Sequence, residues 1–547
     1  MGISNITVLG SGAMGSGIAQ TCAQSGFQVC LYDVDGERLG EATANIAKFI
    51  QRGAEKGQRT ATEAAAAIAR VSTATDMAEA TRDCDLLIEA IPEDMALKKR
   101  VFSELNAVCP ERTILATNTS SLCVTEMATA SGRPDKFVGM HFFNPVPIMR
   151  LVEVIVGAET SEETLQTAVQ VSEQLSKTPA VVQDWPNFIV NRMSRPWYYE
   201  AEFMLMEGIP AQDVDTAIRV GAGMRMGPLE LMDMTGLAPH LASSETAVRE
   251  WGDPKWRPVP IVRKLVRSGH LGRRTGKGFY LYPDGEKRPR VPSADYRACE
   301  PFAVRTITLI GTGDKAVALA EKLRAAEFSV TFHANADDAG AALADAHMVI
   351  EAIESINQQD GNALFAKLGT ACAPTAVLVT TSTFFSPGEL GAASGRPEAT
   401  ITIHEPMPFM NNRLFEISKG LDTGDRTVAT ALALAESLGY SAVVLDESPG
   451  HIVYRAIVPM INEAAFSLYE GLASAEDIDT AMKLGLNHPL GPLEWGDKLG
   501  VDTVLAVMEH LQTEFADPRY RPCMLIKRMV RSGRLGEKSG HGFYDHR

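Results

Sequence analysis

The sequence predicts an α/β domain followed by an all-α domain, with the pair present twice in one chain. Three observations carry that expectation: a strand, glycine turn, helix, strand succession at the start, the loss of strand signals after about residue 188, and a restart of the same motifs after residue 304. Residues Ile3 to Leu9 form a short β-branched run, a glycine-rich turn leads into SGIAQTCAQSG, and a second run, Phe27 to Leu31, ends at Tyr32 and Asp33. Short apolar runs separated by a helical stretch read as the βαβ unit of a parallel sheet, since parallel neighbours need a crossover. Runs at Leu86 to Ile91, Thr113 to Ala116 and Phe137 to Met140 alternate with helical stretches such as Met95 to Val108, extending the α/β part over 1–184. Long helical segments from Phe188 to Val266 predict an all-α domain over 185–282.

Residues 283–303 carry Pro283, Pro289, Pro292 and Pro301 among charged residues, the composition of a linker. Beyond it, RTITLIGTGDKAVALA restates NITVLGSGAMGSGIA, VIEAIES restates LIEAIPE, and GPLEWGD restates GPLELMD. His141 and His404, Glu153 and Glu416, and Asn191 and Tyr454 are each 263 positions apart; Gly227 and Gly491, then Gly276 and Gly540, are 264 apart. So steady an offset predicts a tandem duplication, with a second α/β domain at 304–447 and a second helical one at 448–547.

Composition bounds the function. At 547 residues the chain exceeds what one core supports, and 45% apolar with 22% charged residues is ordinary folded protein. With 52 Lys plus Arg against 68 Asp plus Glu, the net charge of −16 repels nucleic acid and anionic lipid, so neither nucleic acid nor a membrane is an expected partner. The eight cysteines form no CxxC pair, which predicts no metal site and a reducing, cytoplasmic setting. No apolar stretch reaches the length that spans a bilayer.

Gly10, Gly12 and Gly15 form GxGxxG, a weak signal alone in a chain with 45 glycines. Here it follows a strand, opens a helix and has Asp33 ending the next strand, 18 residues after Gly15, which makes it the fingerprint of a Rossmann-type dinucleotide site. Gly10 permits the tight turn, Gly12 lets the backbone approach a pyrophosphate, Gly15 lets helix and strand pack, and the helix amino terminus offers N–H groups to the phosphates. Asp33 can accept both ribose hydroxyls, and Val34 offers nothing to a 2′-phosphate, so NAD is expected rather than NADP. In the second copy Gly311 and Gly313 persist, Ala316 takes the third place and Ala334 stands where Asp33 stands; only the first copy is expected to bind NAD well.

His141 follows a predicted strand in GMHFFNP, and Glu153 lies twelve residues on in LVEVIV. A carboxylate on one ring nitrogen would fix the tautomer that a general base needs. On residues alone the pair also reads as an ordinary histidine and a solvated glutamate.

Together VLGSGAMGSGIA, IEAIPED, ATNTSSL, GMHFFNP, LVEVI, FIVNR, GPLEL and GKGFY resemble the 3-hydroxyacyl-CoA dehydrogenase family, over residues 1 to about 282 and more weakly over 304–547. The resemblance implies oxidation of an (S)-3-hydroxyacyl-CoA to the 3-ketoacyl-CoA, with NAD as cofactor and an acyl-CoA as substrate, in β-oxidation or phenylacetate breakdown. It implies His141 as general base, Glu153 as its orienting partner, and Ser120 and Asn191 as hydrogen-bonding groups for substrate. It places Gly10, Gly12, Met14, Gly15, Asp33, Glu93, Lys98 and Asn144 around the cofactor. Lys48, Arg52 and Lys56 fall at i, i+4, i+8 on one helix and could hold the CoA phosphates; the spacing also fits a solvated face, and the resemblance favours Lys56.

In the second copy His404 and Glu416 survive, but Ser120 becomes Thr383, Asn191 becomes Tyr454 and HFFNP becomes HEPMP, so a dead or altered site is expected. Family members commonly dimerise through the helical domain, which implies an internal pseudo-dimer of helical domains in a chain that is itself a monomer or a homodimer. RPWYYEA and GAGMRMGPLEL resemble the branch acting on 3-hydroxyadipyl-CoA, with Arg192, Arg195 and Arg225 as candidates for its distal carboxylate. Two alternatives stand beside this reading. A thioester hydrolase built on Ser120, His141 and Glu153 lacks a GxSxG elbow and leaves the NAD fingerprint unused; a non-catalytic NAD-binding protein leaves the intact polar residues unused. The string from Gly272 to Gly278 is one residue short of a P-loop between its glycines and lacks the Ser or Thr, so nucleoside triphosphate binding is not expected.

Overall fold

β1 (Asn5–Leu9), β2 (Gln28–Tyr32), β3 (Val71–Ala74), β4 (Leu86–Glu89), β5 (Ile114–Thr117), β6 (Phe137–Phe142), β7 (Leu151–Val156) and β8 (Thr178–Gln183) form one sheet in the order β3-β2-β1-β4-β5-β6-β7-β8. All neighbours are parallel except β6 and β7. The four residues of β4 (LLIE) and of β5 (ILAT) are all buried, as expected of strands covered on both faces. Chain order reverses between β1 and β4, and the crevice at that switch point is where a doubly wound sheet receives its ligand. This is a computed structural model; it describes residues 2–354, 357–407, 410 and 412–547. Ser355 of the VIEAIES repeat and Pro408 of the HEPMP segment lie outside the described residues.

β9 (Thr306–Thr312), β10 (Ser329–His333), β11 (Met348–Ile353), β12 (Val377–Thr380), β13 (Thr400–His404), β14 (Leu414–Lys419) and β15 (Ser441–Asp446) form a second sheet in the order β10-β9-β11-β12-β13-β14-β15. It repeats the first, antiparallel pair included, but has no counterpart of β3 among the described residues. Numbering explains the difference. Gly311 follows Gly10 by 301 positions while Glu351 follows Glu89 by 262, so 39 residues are missing from the second copy between its second strand and the next one inward. In the first copy that interval holds the 20-residue helix Gly36–Glu55, the helix Ala61–Ala69 and β3; in the second it holds the four-residue helices Ala336–Ala339 and Ala341–Ala344.

Each sheet is followed by helices: Val190–Met206, Ala211–Gly221, Pro228–Thr235, Leu237–Trp251 and Pro260–Arg267 after the first, Val453–Tyr469, Ala475–Gly485, Pro492–Leu499, Val501–Phe515 and Met524–Arg531 after the second. The chain divides into two compact units, and each draws on both halves of the sequence. One unit comprises the residues up to Ser194, Glu245–Asp253 and Ala464–Glu494, so the first sheet is accompanied by a segment of the second helical region. The other comprises Arg195–Ser244, Pro254–Glu463 and Trp495–Arg547, and holds the second sheet with most of the helical residues. Within it, Ser293 of the proline-rich segment donates to Asp213 Oδ1 at 2.6 Å.

Candidate active site

The β6–β7 register pairs His141 directly with Glu153. His141 Nδ1 and Glu153 Oε2 are 2.6 Å apart, with the carboxylate fully buried and the imidazole 7% exposed. Facing residues of an antiparallel pair project on the same side of the sheet, so a spacing of twelve residues becomes a contact. The second carboxylate oxygen, Glu153 Oε1, accepts from the N–H groups of Ile189 (3.0 Å) and Val190 (2.8 Å) at the start of the helix Val190–Met206. A helix start donates naturally to an anion, so Glu153 is fixed from both sides.

The next residue of that helix, Asn191, donates through Nδ2 to the Ser120 carbonyl at 3.0 Å. Ser120 in turn donates its N–H (2.9 Å) and its hydroxyl (3.2 Å) to Glu93 Oε1, which also accepts from the Thr119 hydroxyl at 2.6 Å. Lys98 closes the network: its ammonium, 1% exposed, lies 3.2 Å from Glu93 Oε2 and 2.7 Å from Glu89 Oε1. Partial burial pushes the Glu93 carboxyl up, but the Lys98 ammonium and the donors from Thr119 and Ser120 outweigh it and hold the group below its ordinary range. Sequence reasoning missed Glu89; an acid inside a strand of otherwise apolar residues was the available signal.

A groove of about 800 Å3 runs beside the glycine turn, lined by residues of the turn, of the helix Gly36–Glu55 and of the segment 144–148. Gly10 takes a φ of +98°, and a Cβ there would meet the Ala90 carbonyl oxygen at 2.6 Å. At Gly15 a Cβ would stand 1.8 Å from the Gly10 carbonyl oxygen, whereas at Gly12 it would meet nothing within 4 Å. Gly12 therefore leaves open space at the start of the helix Ala13–Gln24, where no side chain caps the free N–H groups. Asp33, just after β2, accepts from the Ser11 N–H (2.8 Å) and hydroxyl (2.7 Å); burial raises its pKa, these donors lower it more, and the carboxyl titrates below its ordinary value. Met14 is half-buried and packs against the core, Asn144 lines the groove, and Val34 is 82% exposed.

Arg52 and Lys56 line the groove and Lys48 is not among its lining residues. Arg38, Asn45 and Phe49 join them, a face that the helical period of 3.6 places together. Arg192 and Arg195 are buried and engaged, Arg192 with Glu470 at 2.7 Å and Arg195 with His240 and Ser244; Arg225 is exposed. A groove of about 540 Å3 in the other unit, lined by residues 207–210, 291–297 and 442–448 among others, contains none of the predicted site residues.

The family model for the 3-hydroxyacyl-CoA dehydrogenase NAD-binding domain matches residues 5–185 and again 308–448, and the model for the family's C-terminal domain matches 188–282 and again 450–546. The chain belongs to the 3-hydroxyacyl-CoA dehydrogenase family. It is 32% identical over 527 residues to 3-hydroxyadipyl-CoA dehydrogenase of Escherichia coli K12, covering 96% of this chain and 97% of that protein. Its first half is 45% identical over 285 residues to a probable 3-hydroxybutyryl-CoA dehydrogenase of Bacillus subtilis, covering 52% of this chain and 99% of that one. A crystal structure of 3-hydroxybutyryl-CoA dehydrogenase from Escherichia coli K12 matches with a TM-score of 0.77 at 29% identity, over 97% of this chain and all of that one. The chain is thus an NAD-dependent 3-hydroxyacyl-CoA dehydrogenase. Among its described residues no helix is long and apolar enough to cross a membrane.

As a member of this dehydrogenase family the first copy fits NAD: open space at Gly12, uncapped N–H groups behind it and a carboxylate at Asp33 are the three features that a dinucleotide needs. The second copy does not fit. At Gly313 a Cβ would meet the Glu354 carboxyl at 2.7 Å, and Glu354 accepts from the Lys315 N–H at 3.2 Å, so a carboxylate of the chain itself occupies the start of the helix Asp314–Ala325. Lys315, in the place of Met14, donates to the Thr381 carbonyl at 2.9 Å.

The second dyad keeps the geometry of the first in different surroundings. His404 Nδ1 lies 2.8 Å from Glu416 Oε2, and Glu416 Oε1 accepts from Ile452 and Val453, each at 2.9 Å. The His404 ring is 2% exposed and packs against those of Tyr454 (4.9 Å) and His451 (4.6 Å). Burial, and after it the Lys315 ammonium, drive its pKa well below the ordinary value, so the imidazolium a general base must form is disfavoured there.

Proposed function

We propose that the reaction runs only in the first half, on a short-chain (S)-3-hydroxyacyl-CoA. With Nδ1 committed to Glu153, His141 Nε2 is the nitrogen that takes the proton of the β-hydroxyl as the C=O bond forms. Bound NAD supplies the acceptor for the hydride that leaves the same carbon. Glu153 holds the tautomer beforehand and stabilises the imidazolium afterwards. Asn191, held by the Ser120 carbonyl, would direct its second amide N–H at a substrate oxygen, and the Ser120 hydroxyl would do the same by turning from Glu93 to the substrate. Gly10, Gly12, Gly15 and Asp33 would hold the dinucleotide, and Met14, Glu93, Lys98 and Asn144 are its further candidate neighbours. Arg52 and Lys56 offer two cations in an acidic chain to the CoA phosphates.

The contact that carries this reading is His141 to Glu153, made at the switch-point end of a sheet that also presents the dinucleotide turn. Ser120 directs its hydroxyl to Glu93 rather than to His141, which speaks against the thioester hydrolase. The second half acts as an internal partner, an inference supported by the mixed composition of both units, in a chain that is a monomer or a homodimer. The cysteines are all unpaired thiols, which supports a reducing cytoplasm.

The full-length relative named for 3-hydroxyadipyl-CoA favours that substrate as a second reading, in β-oxidation-type breakdown of aromatic acids. Of the three arginines considered for a distal carboxylate, Arg192 and Arg195 are buried in other contacts and Arg225 is exposed. The test is kcat/KM for 3-hydroxybutyryl-CoA against 3-hydroxyadipyl-CoA, followed by NADH absorbance. NADH formation is expected with at least one; release of free CoA thiol without NADH overturns the assignment.

A further inference from the structure

The edge strand of the first sheet is closed by residues from the far end of the chain. β8 is that edge, and its N–H groups alternate between inward and outward directions. Val181 donates to Asp477 Oδ1 at 3.3 Å and Gln183 to the Leu472 carbonyl at 2.9 Å. The helix Ala475–Gly485, capped by Ser474, then lies along β7 and β8. Covering an edge in this way removes a row of unsatisfied donors, so the segment is held where it lies.

The end of that helix reaches two residues that flank Glu153. A Cβ on Gly485 would stand 2.9 Å from Val190 Cγ2 and 3.0 Å from Leu151 Cδ2. Leu151 lies two residues before Glu153 on β7, on the same side of the strand, and the Val190 N–H is a donor to Glu153 Oε1. Val190 is β-branched and has little rotamer freedom on its helix, so added bulk at Gly485 must move the helix start itself. A second tie acts two residues further along that helix, where Glu470 holds the buried Arg192.

The same arrangement recurs in the other unit with the halves exchanged. A Cβ on Gly221, from the first helical region, would meet Val453 Cγ2 at 2.7 Å and Leu414 Cδ2 at 2.8 Å, and the Val453 N–H donates to Glu416. The two glycines are equivalent in the repeat, 264 positions apart.

We propose that Gly485 is a positioning residue for the His141–Glu153 dyad: the second half of the chain sets the catalytic geometry of the first. This rests on the first half being the working site. It also gives a reason for the second half to persist without a fitted cofactor site of its own.

The test compares Gly485→Val with Gly221→Val in the full chain, measuring kcat, KM for 3-hydroxybutyryl-CoA and NAD affinity. Gly485→Val is expected to lower kcat by about tenfold or more, because small displacements of a catalytic group are costly, while KM and NAD affinity stay within about twofold. Gly221→Val, which disturbs only the silent dyad, is expected to keep kcat within about twofold. If Gly485→Val is insoluble, Gly485→Ala is the substitute, with a smaller loss confined to kcat. An unchanged kcat in the Gly485 variants, or equal losses from both glycines, overturns the proposal. His141→Ala is run beside them: if it retains activity, the reading of the first site falls, whereas a dead His141→Ala with unaffected Gly485 variants rejects the positioning role alone.

Discussion

His141 Nδ1 lies 2.6 Å from Glu153 Oε2 because the two residues are partners across the antiparallel pair β6 and β7. The corresponding contact in the second half, His404 to Glu416, is 2.8 Å. Contact geometry alone therefore does not distinguish the two dyads. Their surroundings do differ: the His404 ring packs against Tyr454 and His451, and in the same half Glu354 occupies the start of the helix Asp314–Ala325. His141→Ala is expected to lower turnover by about 10²-fold or more with NAD binding intact, since a general base contributes that much. His404→Ala is expected to leave turnover within about twofold. Steady-state NADH formation by the two variants checks both statements, and comparable losses would refute the division of labour.

Titration calorimetry with NAD is expected to give one site per chain. Gly12→Val places a branched side chain in the open space before the helix Ala13–Gln24, and should abolish that site without unfolding the domain, because a Cβ there meets no neighbour. Two equivalent sites, or a surviving site in the variant, would show that the second cleft is not closed by Glu354.

The repeat and both fold types were legible in the sequence because strand runs, the glycine turn and turn residues are local signals. The His141–Glu153 contact was legible only through family resemblance, since register is a property of paired strands and not of either one. Two features stayed hidden. The mixing of halves within each unit depends on which helix covers which sheet edge, and nothing in Ala475–Gly485 alone says that it meets β8. The loss of the groove helix from the second copy was present in the numbering, where the offset shifts from 301 to 262, but matching motifs one by one passed over it. Of the cation stripe, Arg52 and Lys56 line the groove and Lys48 does not, because steps of four residues drift around the helix.

Lys98 is a buried ammonium between Glu89 and Glu93, and its removal strands Glu89, which is fully buried. Breaking one side of a buried ion pair costs about 3–5 kcal/mol, so Lys98→Met is expected to lower the denaturation midpoint markedly. Glu89→Gln with Lys98→Met should recover part of the loss. Urea titrations of the single and double variants measure this, and additive losses would rule out the pairing as the cause.

Arg52 and Lys56 sit on the groove face with Phe49, clear of the dyad. Replacing both by Ala is expected to raise KM for the acyl-CoA several-fold with kcat little changed, the signature of lost uniform binding, and on the order of tenfold at low ionic strength. The gap between variant and wild type should narrow as salt is added. A loss that is independent of salt would place the CoA phosphates elsewhere.

His488 belongs to the segment 464–494 that accompanies the first sheet, and burial alone holds its pKa down to about 3. In the unfolded chain a histidine titrates near pH 6.5, so between there and about pH 3 the unfolded state carries a proton that the folded state refuses. The stability tied to this group is fully present above about pH 6.5 and is lost as pH falls, by about 1.4 kcal/mol per unit. His451, pushed down to about 3 chiefly by burial and then by His404, adds a loss of the same sign in the other unit. His488→Met preserves an apolar filler and cannot take up the proton, so its melting temperature should fall less steeply than that of the wild type between about pH 6.5 and pH 5. Parallel slopes for the two proteins would mean that His488 stays neutral in the unfolded chain as well or is protonated in the folded one, and would remove burial of this ring as a source of acid sensitivity.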